Sequence, residues 1–448
     1  MGVESGKKPI LLVVSGIVVT TVFMLGSMVY QTSQHEAYVQ KAISEFNSQV
    51  SMQLDLDLFE SGLFSSTAIT SLTLFQDRNP TLRLEHHLKS SPFFKTKITS
   101  TLDPRGPSTL DDIDNSALAQ KIKTVEIVSE VSYSGVKIET GFNSLPLGDD
   151  GNFCADGISA EAVITPQGSS EKDEQYQAQT TLKVDRISGE EGSAKFLLEN
   201  GVFTSSSLFN DEILNSSSIG GEIESISIID AVTDNYVRIS EIDMFQETKV
   251  SALTDTLFEM GIKKVEIKHS VIDDINIKTS LKSLDSASLK LFFTYLREQT
   301  ALQDFKDLSK FMEAGVGILS KNPTFAVDSM KASVNGADVQ LHGSLRVNNF
   351  VEFLLYGFTQ GSVQNINLRA NITADKNIYA SLAKLDFALN RIEEIDPQNP
   401  TEAHIQQRAT MFKVFVEQNQ LFQETDAGIS ADIEIVNGAG YVNGQRMM

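Results

Sequence analysis

Histidines beside acidic residues are the first places in this sequence whose residue types suggest chemistry. In the segment "EHHL", Glu85 precedes His86 and His87. A carboxylate can orient an imidazole as a general base, and a pair of histidines is a common part of a metal site. Adjacent residues on a strand point to opposite faces, however, so the two histidines are not expected to chelate one ion. The segment therefore predicts no metal site.

A further histidine, His269, precedes Asp273 and Asp274. These carboxylates could orient the imidazole as a general base. A hydrolase also needs a nucleophile, and the chain contains no G-x-S-x-G or other nucleophile signature. We therefore expect no catalytic residue here, and an envelope hydrolase is the weakest of the functional alternatives.

The loop "GDDGNFCADG" carries enough oxygen ligands to suggest calcium, from Asp149, Asp150, Asn152 and Asp156. The order of acids, glycine and glutamate that defines an EF-hand is not present. An acidic turn is the simpler interpretation, because Asp, Asn and Gly are the usual turn residues. Cys154, in the same loop, is the single cysteine of the chain, so an internal disulfide and a cysteine metal cluster are both excluded.

The composition narrows the classes of partner. The chain has 448 residues and a formal net charge of −22, which disfavours nucleic acid because phosphate binding uses clustered Lys and Arg. It contains neither a P-loop nor a dinucleotide-binding fingerprint. The sequence thus predicts no enzyme, no cofactor, no metal and no nucleic-acid partner.

An uncharged segment from Pro9 to Tyr30 predicts a transmembrane helix. As a helix it is about 33 Å long, against a hydrocarbon core of about 30 Å. Lys7 and Lys8 precede it, and the positive-inside rule places that end in the cytoplasm. The alternative is a cleaved signal peptide, but the segment is longer than a typical signal-peptide core and no A-x-A site follows.

The next segment, residues 31–50, has one apolar helical face made of Val39, Ile43, Phe46 and Val50. This face predicts a helix that continues out of the membrane and docks on the body of the protein. Pairing with a second copy is the alternative, so a homodimer remains open.

Short alternating segments separated by polar turns follow. In the first, Leu54, Leu56 and Leu58 are expected on one face of a strand, with Asp55 and Asp57 on the other. "STAITSLTL", "TVEIVSEVSYSG", "EIESISIID", "VQLHGSLRV" and "INLRANI" show comparable alternation. Frequent short strands with polar turns indicate antiparallel sheet rather than βαβ units.

Helical stripes occur in the C-terminal half and are expected to face the core. They are Leu289, Phe292, Phe293 and Leu296; Phe305, Leu308 and Met312, ending before Pro323; Ile378, Leu382, Leu385 and Leu389; and Ile405, Ala409, Phe412 and Val416. The chain closes with two strands around Asn437 and Gly438, a favoured pair for a two-residue hairpin turn.

Together these patterns predict an α+β fold that is predominantly antiparallel β, with elongated or curved sheets and several amphipathic helices in the C-terminal half. The predicted segments are a cytoplasmic N-terminus (1–8), a transmembrane helix (9–30), a membrane-proximal helix (31–50), a β-rich region (51–284) and an α+β region that ends in a β-hairpin (285–448).

Three motifs taken together resemble the YdgA-like family of bacterial envelope proteins, a domain-of-unknown-function family. They are "FESGLFSS", "SYSG" and the terminal "VNGAGYVNGQRM". The resemblance implies a Gram-negative inner-membrane protein with a periplasmic body, and it supplies no catalytic residue. The residues that match the first and last motifs are Gly62, Phe64, Ser65, Ser66, Asn443 and Gly444, and the role implied for them is structural, in turns. The chain departs from the family at Ser61, where relatives often have Arg.

Two functions from different classes follow as expectations. In the first, the body is a binding or scaffold module for an unidentified envelope partner. In the second, the sheet carries a lipid or another apolar ligand in a groove. Alternation along a strand does not distinguish a buried core from an open groove, so the sequence leaves both readings open.

Overall fold

A computed structural model gives the structure of the chain. It describes residues 36, 39–40, 43–44, 47, 53–61, 65–73, 82–91, 95–102, 125–132, 135–147, 152–167, 175–210, 213–230, 232, 235–268, 270–292, 295, 308–348, 363–389, 400–419, 421–426 and 428–447. The predicted transmembrane helix at residues 9–30 lies outside these ranges. Within them, no helix combines the length and the apolar character that crossing a bilayer requires.

Antiparallel strands make up most of the described chain. The strands are β1 (Gln53–Ser61), β2 (Ser65–Thr73), β3 (Leu82–Ser91), β4 (Lys95–Leu102), β5 (Glu126–Ser132), β6 (Gly135–Leu147), β7 (Phe153–Pro166), β8 (Gln175–Glu191), β9 (Ala194–Asn210), β10 (Ile213–Asp230), β11 (Asn235–Val250), β12 (Leu253–Ile267), β13 (Ser270–Asp285), β14 (Thr324–Val334), β15 (Ala337–Val347), β16 (Ile366–Asp375), β17 (Gln423–Glu424), β18 (Gly428–Val436), β19 (Ala439–Val442) and β20 (Gln445–Arg446). The helices are α1 (Leu308–Ile318), α2 (Ile378–Leu389) and α3 (Glu402–Asn419), with a 3₁₀ turn at Val363–Asn365. The predicted predominance of antiparallel β, with helices in the C-terminal half, is confirmed.

The chain divides into two compact units. The first comprises Met1–Gly189, Gly201–Leu214 and Leu296–Lys306, and the second comprises Glu190–Asn200, Asn215–Tyr295 and Asp307–Met448.

In the first unit, each strand from β1 to β8 pairs antiparallel with the next. Alternate residues of the early strands form a buried face that includes Leu54, Ala68, Leu84, Leu88, Ile98, Val131 and Ile138. Two of the residues that predicted a docked helix, Val39 and Ile43, are also buried. The amide of nearby Asn47 exchanges two hydrogen bonds with the backbone of Leu54, at 2.7 and 2.8 Å. Asn47 therefore contacts β1, and Val39 and Ile43 are shielded from solvent.

The prediction that Leu54, Leu56 and Leu58 share one face was wrong for Leu58. Leu54 is fully buried, but Leu58 is 42% exposed. The register between β1 and β2 shifts between Leu56 and Leu58, which is the signature of a β-bulge. A bulge adds one residue to one strand and thereby moves the following side chains to the other face. Phe59 takes the inner position instead, opposite the buried Ala68.

In the second unit, strands β10 to β16 pair antiparallel in chain order, and β18 then pairs with β16. The short β17 and β19 both pair with β18, and β20 pairs with β19. Two helices, α2 and α3, are inserted between β16 and β17.

Asn-Gly pairs form several of the tight hairpin turns of this unit. Asn437 and Gly438 both have positive φ, at 51° and 79°, and they join β18 to β19. Positive φ at both central residues defines the type I′ turn, whose twist matches that of the flanking strands. The predicted terminal hairpin is therefore confirmed. Asn335 and Gly336 make an equivalent turn between β14 and β15.

The helix α3 packs as its stripe predicted. Ile405 and Ala409 are buried, and Phe412 and Val416 pack against the same cluster. In the stripe that begins at Leu289, Leu289 and Phe292 are half-buried. The remaining residues of that stripe and the side chains of the next one lie outside the described residues: Phe293, Leu296, Phe305, Leu308 and Met312.

The stripe assigned to α2 was wrong for Leu382 and Leu389, whereas Ile378 is buried and Leu385 is half-buried. Leu382 and Leu389 are exposed, by 36% and 61%, while the buried side of the helix carries Ile378, Ala383 and Phe387. This helix has apolar residues on more than one side, so periodicity alone does not select the packed side. Ala383 is fully buried, and its small side chain allows close approach of a neighbouring element.

Candidate functional site

The two adjacent histidines of β3 face opposite sides of the sheet, as expected. His87 is exposed and lies 3.6 Å from the carboxylate of Glu85. His86 is fully buried between two hydroxyl groups: its Nε2 lies 2.8 Å from Thr70 Oγ1 and its Nδ1 lies 2.8 Å from Ser100 Oγ. One ring nitrogen donates and the other accepts, so the neutral imidazole satisfies both partners.

Burial is the main cause that lowers the pKa of His86 to about 3, and the charge of His87 adds to the effect. Desolvation disfavours the charged form of the ring. A neutral histidine with no exposed surface contacts no substrate, so its arrangement is that of a structural residue in the sheet.

The other residues considered for chemistry are only partly among the described residues. His269, Asp149 and Asp150 lie outside the described residues. The thiol of Cys154 lies 3.0 Å from Ser144 Oγ and 3.4 Å from an oxygen of Asp156. Among the residues that the structure describes, no group of three or more His, Cys, Asp or Glu side chains could hold a metal ion.

The family-motif residues occupy strand starts and turns where they are described. Ser65 and Ser66 begin β2, exposed and buried respectively, and Gly62 and Phe64 lie outside the described residues. Asn443 and Gly444 have φ of 52° and 77° between β19 and β20. The side chain of Asn443 accepts from the Asp432 amide at 2.9 Å and donates to the Leu421 carbonyl at 3.2 Å.

The feature that stands out is an apolar face on the sheet of the second unit. In an antiparallel sheet, residues opposite each other in register lie on the same face. One row of such partners runs across β11 to β16 and β18 and consists of Met244, Met260, Ile277, Met330, Leu341, Ile372 and Ala431. A second row contains Ile223, Ile242, Ile262 and Ile275, and a third contains Leu281, Phe325, Leu345, Leu368 and Ile435. These three rows define the apolar face.

The opposite side of the same strands is polar. Its central row contains Glu222, Asp243, Gly261, Asn276 and Lys331. The four side chains of this row are exposed. The sheet therefore has one charged side and one apolar side.

Helix α2 covers only part of the apolar face. Its Ile378 and Phe387 form a cluster with Ala337, against which Val339 and Ala374 pack at one end of β15 and β16. The helix also contacts β12, β13 and β14. Further along the face, Met330 is 40% exposed, Phe325 46% and Leu345 36%. Neighbouring large apolar side chains with this much exposure are unusual on a monomer and mark binding surfaces.

The chemistry available on this face is apolar contact. The first row holds aliphatic and thioether side chains and no titratable group. Methionine is flexible and polarizable, so a surface rich in it adapts to apolar ligands. No motif marks Met244, Met260 or Met330 in the sequence. Met330 lies between Ser329 and Lys331, and this alternation was the signal that could have identified it.

Comparisons with known proteins identify a family. The family model described as "Bacterial protein of unknown function (DUF945)" matches residues 168–448. The match includes the terminal motif and all of the apolar face, and it begins after the first two motifs. No curated protein and no solved structure matches the chain. Because the matched region is more than half of the sequence, this chain belongs to the bacterial DUF945 family of unknown function, as its resemblance to YdgA-like proteins predicted.

Proposed function

We propose that this protein is a single-pass protein of the bacterial inner membrane whose periplasmic body binds an apolar partner on the apolar face of its second unit. The N-terminus would lie in the cytoplasm, residues 9–30 would span the membrane, and the strands would form curved or elongated sheets in the periplasm. The uncharged run from Pro9 to Tyr30 behind Lys7 and Lys8 supports this placement. The proposal assigns the chain a binding role and no catalytic step.

The exposure of the apolar face is the observation that carries the proposal. Phe325, Met330 and Leu345 lie on neighbouring strands of one face and each keeps more than a third of its surface in solvent. At about 25 cal/mol per Å² of apolar area, covering several such side chains is worth several kcal/mol. Because burial of this surface would release several kcal/mol of free energy, the surface is suited to binding a ligand.

A lipid acyl chain suits this face better than a protein partner. The first row offers no hydrogen-bonding side chain, whereas a typical protein interface carries one hydrogen bond per about 100–200 Å². The row crosses six strand intervals of about 4.8 Å each, or about 29 Å. One leaflet of a bilayer holds acyl chains about 15 Å long, so the row exceeds the length that one chain needs.

Charge argues against a second copy as the occupant. Each copy would carry a formal net charge of −22, and like charge of this size opposes close association. A hydrocarbon chain carries no charge and requires no polar partner. We therefore favour a lipid carrier over the scaffold role, which becomes an outcome of the test.

Mass spectrometry of lipids that co-purify with the full chain in detergent tests the proposal. Three proteins are compared: the unsubstituted chain, Met330→Glu on the apolar face, and Lys331→Glu on the opposite face of the same strand. We expect lipid with the unsubstituted chain and with Lys331→Glu, and its loss with Met330→Glu. Equal lipid in all three, or a co-purifying protein lost only with Met330→Glu, would contradict the lipid role, and the second result would support a scaffold.

A further inference from the structure

A line of polar residues crosses the second unit at one level of β9 to β13. Its members are Asn200, Glu224, Glu241, Lys263 and Asp274, and we call this line the crease. The crease residues are exposed. Three of them, on alternate strands, have left-handed backbone conformations: φ is 50° at Asn200, 51° at Glu241 and 51° at Asp274.

Register and contacts show that these residues are neighbours. Ile223 pairs with Ile242 and Ser225 with Ser240, so Glu224 lies opposite Glu241. The pairs on either side likewise place Glu241 opposite Lys263, and Lys263 opposite Asp274. The Lys263 Nζ lies 2.9 Å from the Glu241 carboxylate, and the amide of Asn200 donates to the Glu224 carboxylate.

A left-handed backbone conformation is unfavourable for residues other than glycine, and it persists only where the rest of the fold imposes it. The cost is about 1–2 kcal/mol per residue, and it is smallest for Asn and Asp. Two of the three positions carry those types, and Asp274 also adjoins an irregularity in register with β14. Three such residues at one level of the sheet indicate a common structural role.

The apolar pattern changes phase at the crease. On one side of it lies the row Ile223, Ile242, Ile262 and Ile275, and on the other side lies the row Ile226, Ile239, Val265 and Ile272. In each of the four strands the two apolar residues are three positions apart, whereas uninterrupted alternation would place them on opposite faces. In each strand the residue between the crease and the second apolar row is polar. These residues are Ser225, Ser240, Lys264 and Asp273.

A local non-extended residue breaks the two-residue period of a strand. A break at Glu241 brings Ile239 and Ile242 to the same side of β11. Because these strands remain paired on both sides of the crease, the same shift applies to β10, β11, β12 and β13. Ile223 and Ile242, which adjoin the crease, are 7% and 8% exposed, whereas the crease residues themselves are exposed.

We infer that the crease keeps one face of the sheet apolar on both of its sides, so that the ligand-binding surface continues past Glu241 onto Ile226 and Ile239, beside the ends of β12 and β13 on which α2 packs. This inference rests on the proposed function, because it extends the surface that binds the acyl chain. The crease residues are positioning residues: they aim side chains at the ligand and do not contact it.

Photocrosslinking of the unsubstituted full chain in detergent, with a palmitate that carries a diazirine on its acyl chain, tests the inference without any substitution. Mass spectrometry of the digested protein maps the attached positions. We expect adducts on both sides of the crease, at Met260 and Ile277 and also at Ile226 and Ile239. Adducts confined to the Met260 side would overturn the inference.

Substitutions give a second test, read by the binding of a fluorescent sixteen-carbon fatty acid and by melting temperature. Ile239→Glu should weaken binding about tenfold or more, since each 1.4 kcal/mol of lost contact is tenfold in Kd. The matched control is Ser240→Glu, one residue along the same strand, which should bind as the unsubstituted chain does.

The outcomes separate the two proposals. If the unsubstituted chain binds no fatty acid, the proposed function fails and the inference fails with it. If Met260→Glu abolishes binding while Ile239→Glu, folded by its melting temperature, leaves binding intact, the proposed function stands and the inference alone is wrong.

Discussion

The Nε2 atom of His86 lies 2.8 Å from the hydroxyl oxygen of Thr70, at a place in the sheet where neither side chain has any exposed surface. Ser100 completes the arrangement on the third strand, 2.8 Å from Nδ1. The three side chains thus form a polar link across β2, β3 and β4 inside the buried face of the sheet. Such a link is stable only while the imidazole is neutral, because a buried charge without a partner is strongly disfavoured.

We therefore expect acid to destabilise the first unit through His86. Above pH 6.5 the ring is neutral in both folded and unfolded chains, so it adds no pH dependence. Below pH 6.5 the unfolded chain gains a proton, while the folded chain does not until about pH 3. The free energy of unfolding then falls by about 1.4 kcal/mol per pH unit, or about 2–3 kcal/mol between pH 6.5 and 4.5.

Urea unfolding at pH 7.5, 6.5, 5.5 and 4.5 measures this effect, with His86→Gln as the variant and exposed His87→Gln as the control. The loss of stability with acid should be smaller in His86→Gln by the amount given above and unchanged in His87→Gln. Parallel pH profiles for all three proteins would show that His86 does not control the acid response.

Asn335 is expected to be a stabilising residue of the second unit. It sits in the β14–β15 turn with φ of 47°. Its side chain accepts from the Val271 amide at 2.9 Å, and it donates to Ser270 Oγ at 2.8 Å and to the Ser381 carbonyl at 3.0 Å. Asn335→Gly keeps the backbone conformation and removes these bonds, which should cost about 2–4 kcal/mol at about 1 kcal/mol or more per buried bond.

The control is Asn437→Gly, in an equivalent turn with φ of 51°. That variant should change the melting temperature little, since glycine suits the turn. A similar small change for both variants would mean that the hydrogen bonds of Asn335 contribute nothing net.

Phe387 and Leu389 test which side of α2 is packed. Phe387 is 3% exposed and Leu389 is 61% exposed. Phe387→Ala should cost about 3–5 kcal/mol, because it empties a core position, and Leu389→Ala should stay within about 0.5 kcal/mol. Thermal melting of the two variants measures this difference in stability. A larger loss for Leu389→Ala would show that the side of α2 predicted from the sequence is the packed one.

Gly135 of the "SYSG" motif should tolerate no side chain. Its φ is 133°, and a Cβ placed on it would lie 2.0 Å from the carbonyl oxygen of Ile164. Gly192 also has positive φ, at 60°, but its Cβ would meet no atom within 4 Å. Gly192→Ala should cost about 1–2 kcal/mol from backbone strain alone, and Gly135→Ala should cost clearly more because the adjacent strand must also move. Equal melting temperatures for the two variants would argue against this close approach.

The membrane anchor is a prediction from the sequence and needs its own measurement. We expect the full chain to stay in the membrane pellet after carbonate washing and to retain its N-terminal residues. A reporter that is active only in the periplasm should work when fused to the C-terminus. A mature N-terminus between residues 25 and 40 would instead indicate cleavage, and an inactive reporter would reverse the proposed orientation.

The local pattern of the sequence was enough to predict the class of fold and several of its parts. Antiparallel strands follow from two-residue alternation with polar turns, and the turn at Asn437 follows from the tolerance of Asn and Gly for positive φ. The side of α3 that packs follows from the spacing of Ile405 and Ala409. Each of these features depends on residues close together in the chain, so the sequence contains the information directly.

Features that depend on distant partners could not be read in the same way. The bulge that exposes Leu58 is a property of the β1–β2 register, and the packed side of α2 depends on what surrounds Ala383. His86 could be placed on the opposite face from His87, but its two hydroxyl partners lie on separate strands.

The candidate site shows the same division. Alternation predicts an apolar side for each strand, so the sequence by itself determined that Met260 or Met330 would have apolar neighbours. Only the tertiary structure decided that their rows align across β11 to β18 and that α2 covers part of them and leaves Met330 exposed. Tertiary structure also decided that Glu241 has a left-handed backbone conformation. The physical reason is that burial and register are set by contacts between residues far apart in the chain, and a local pattern carries no record of which surfaces meet.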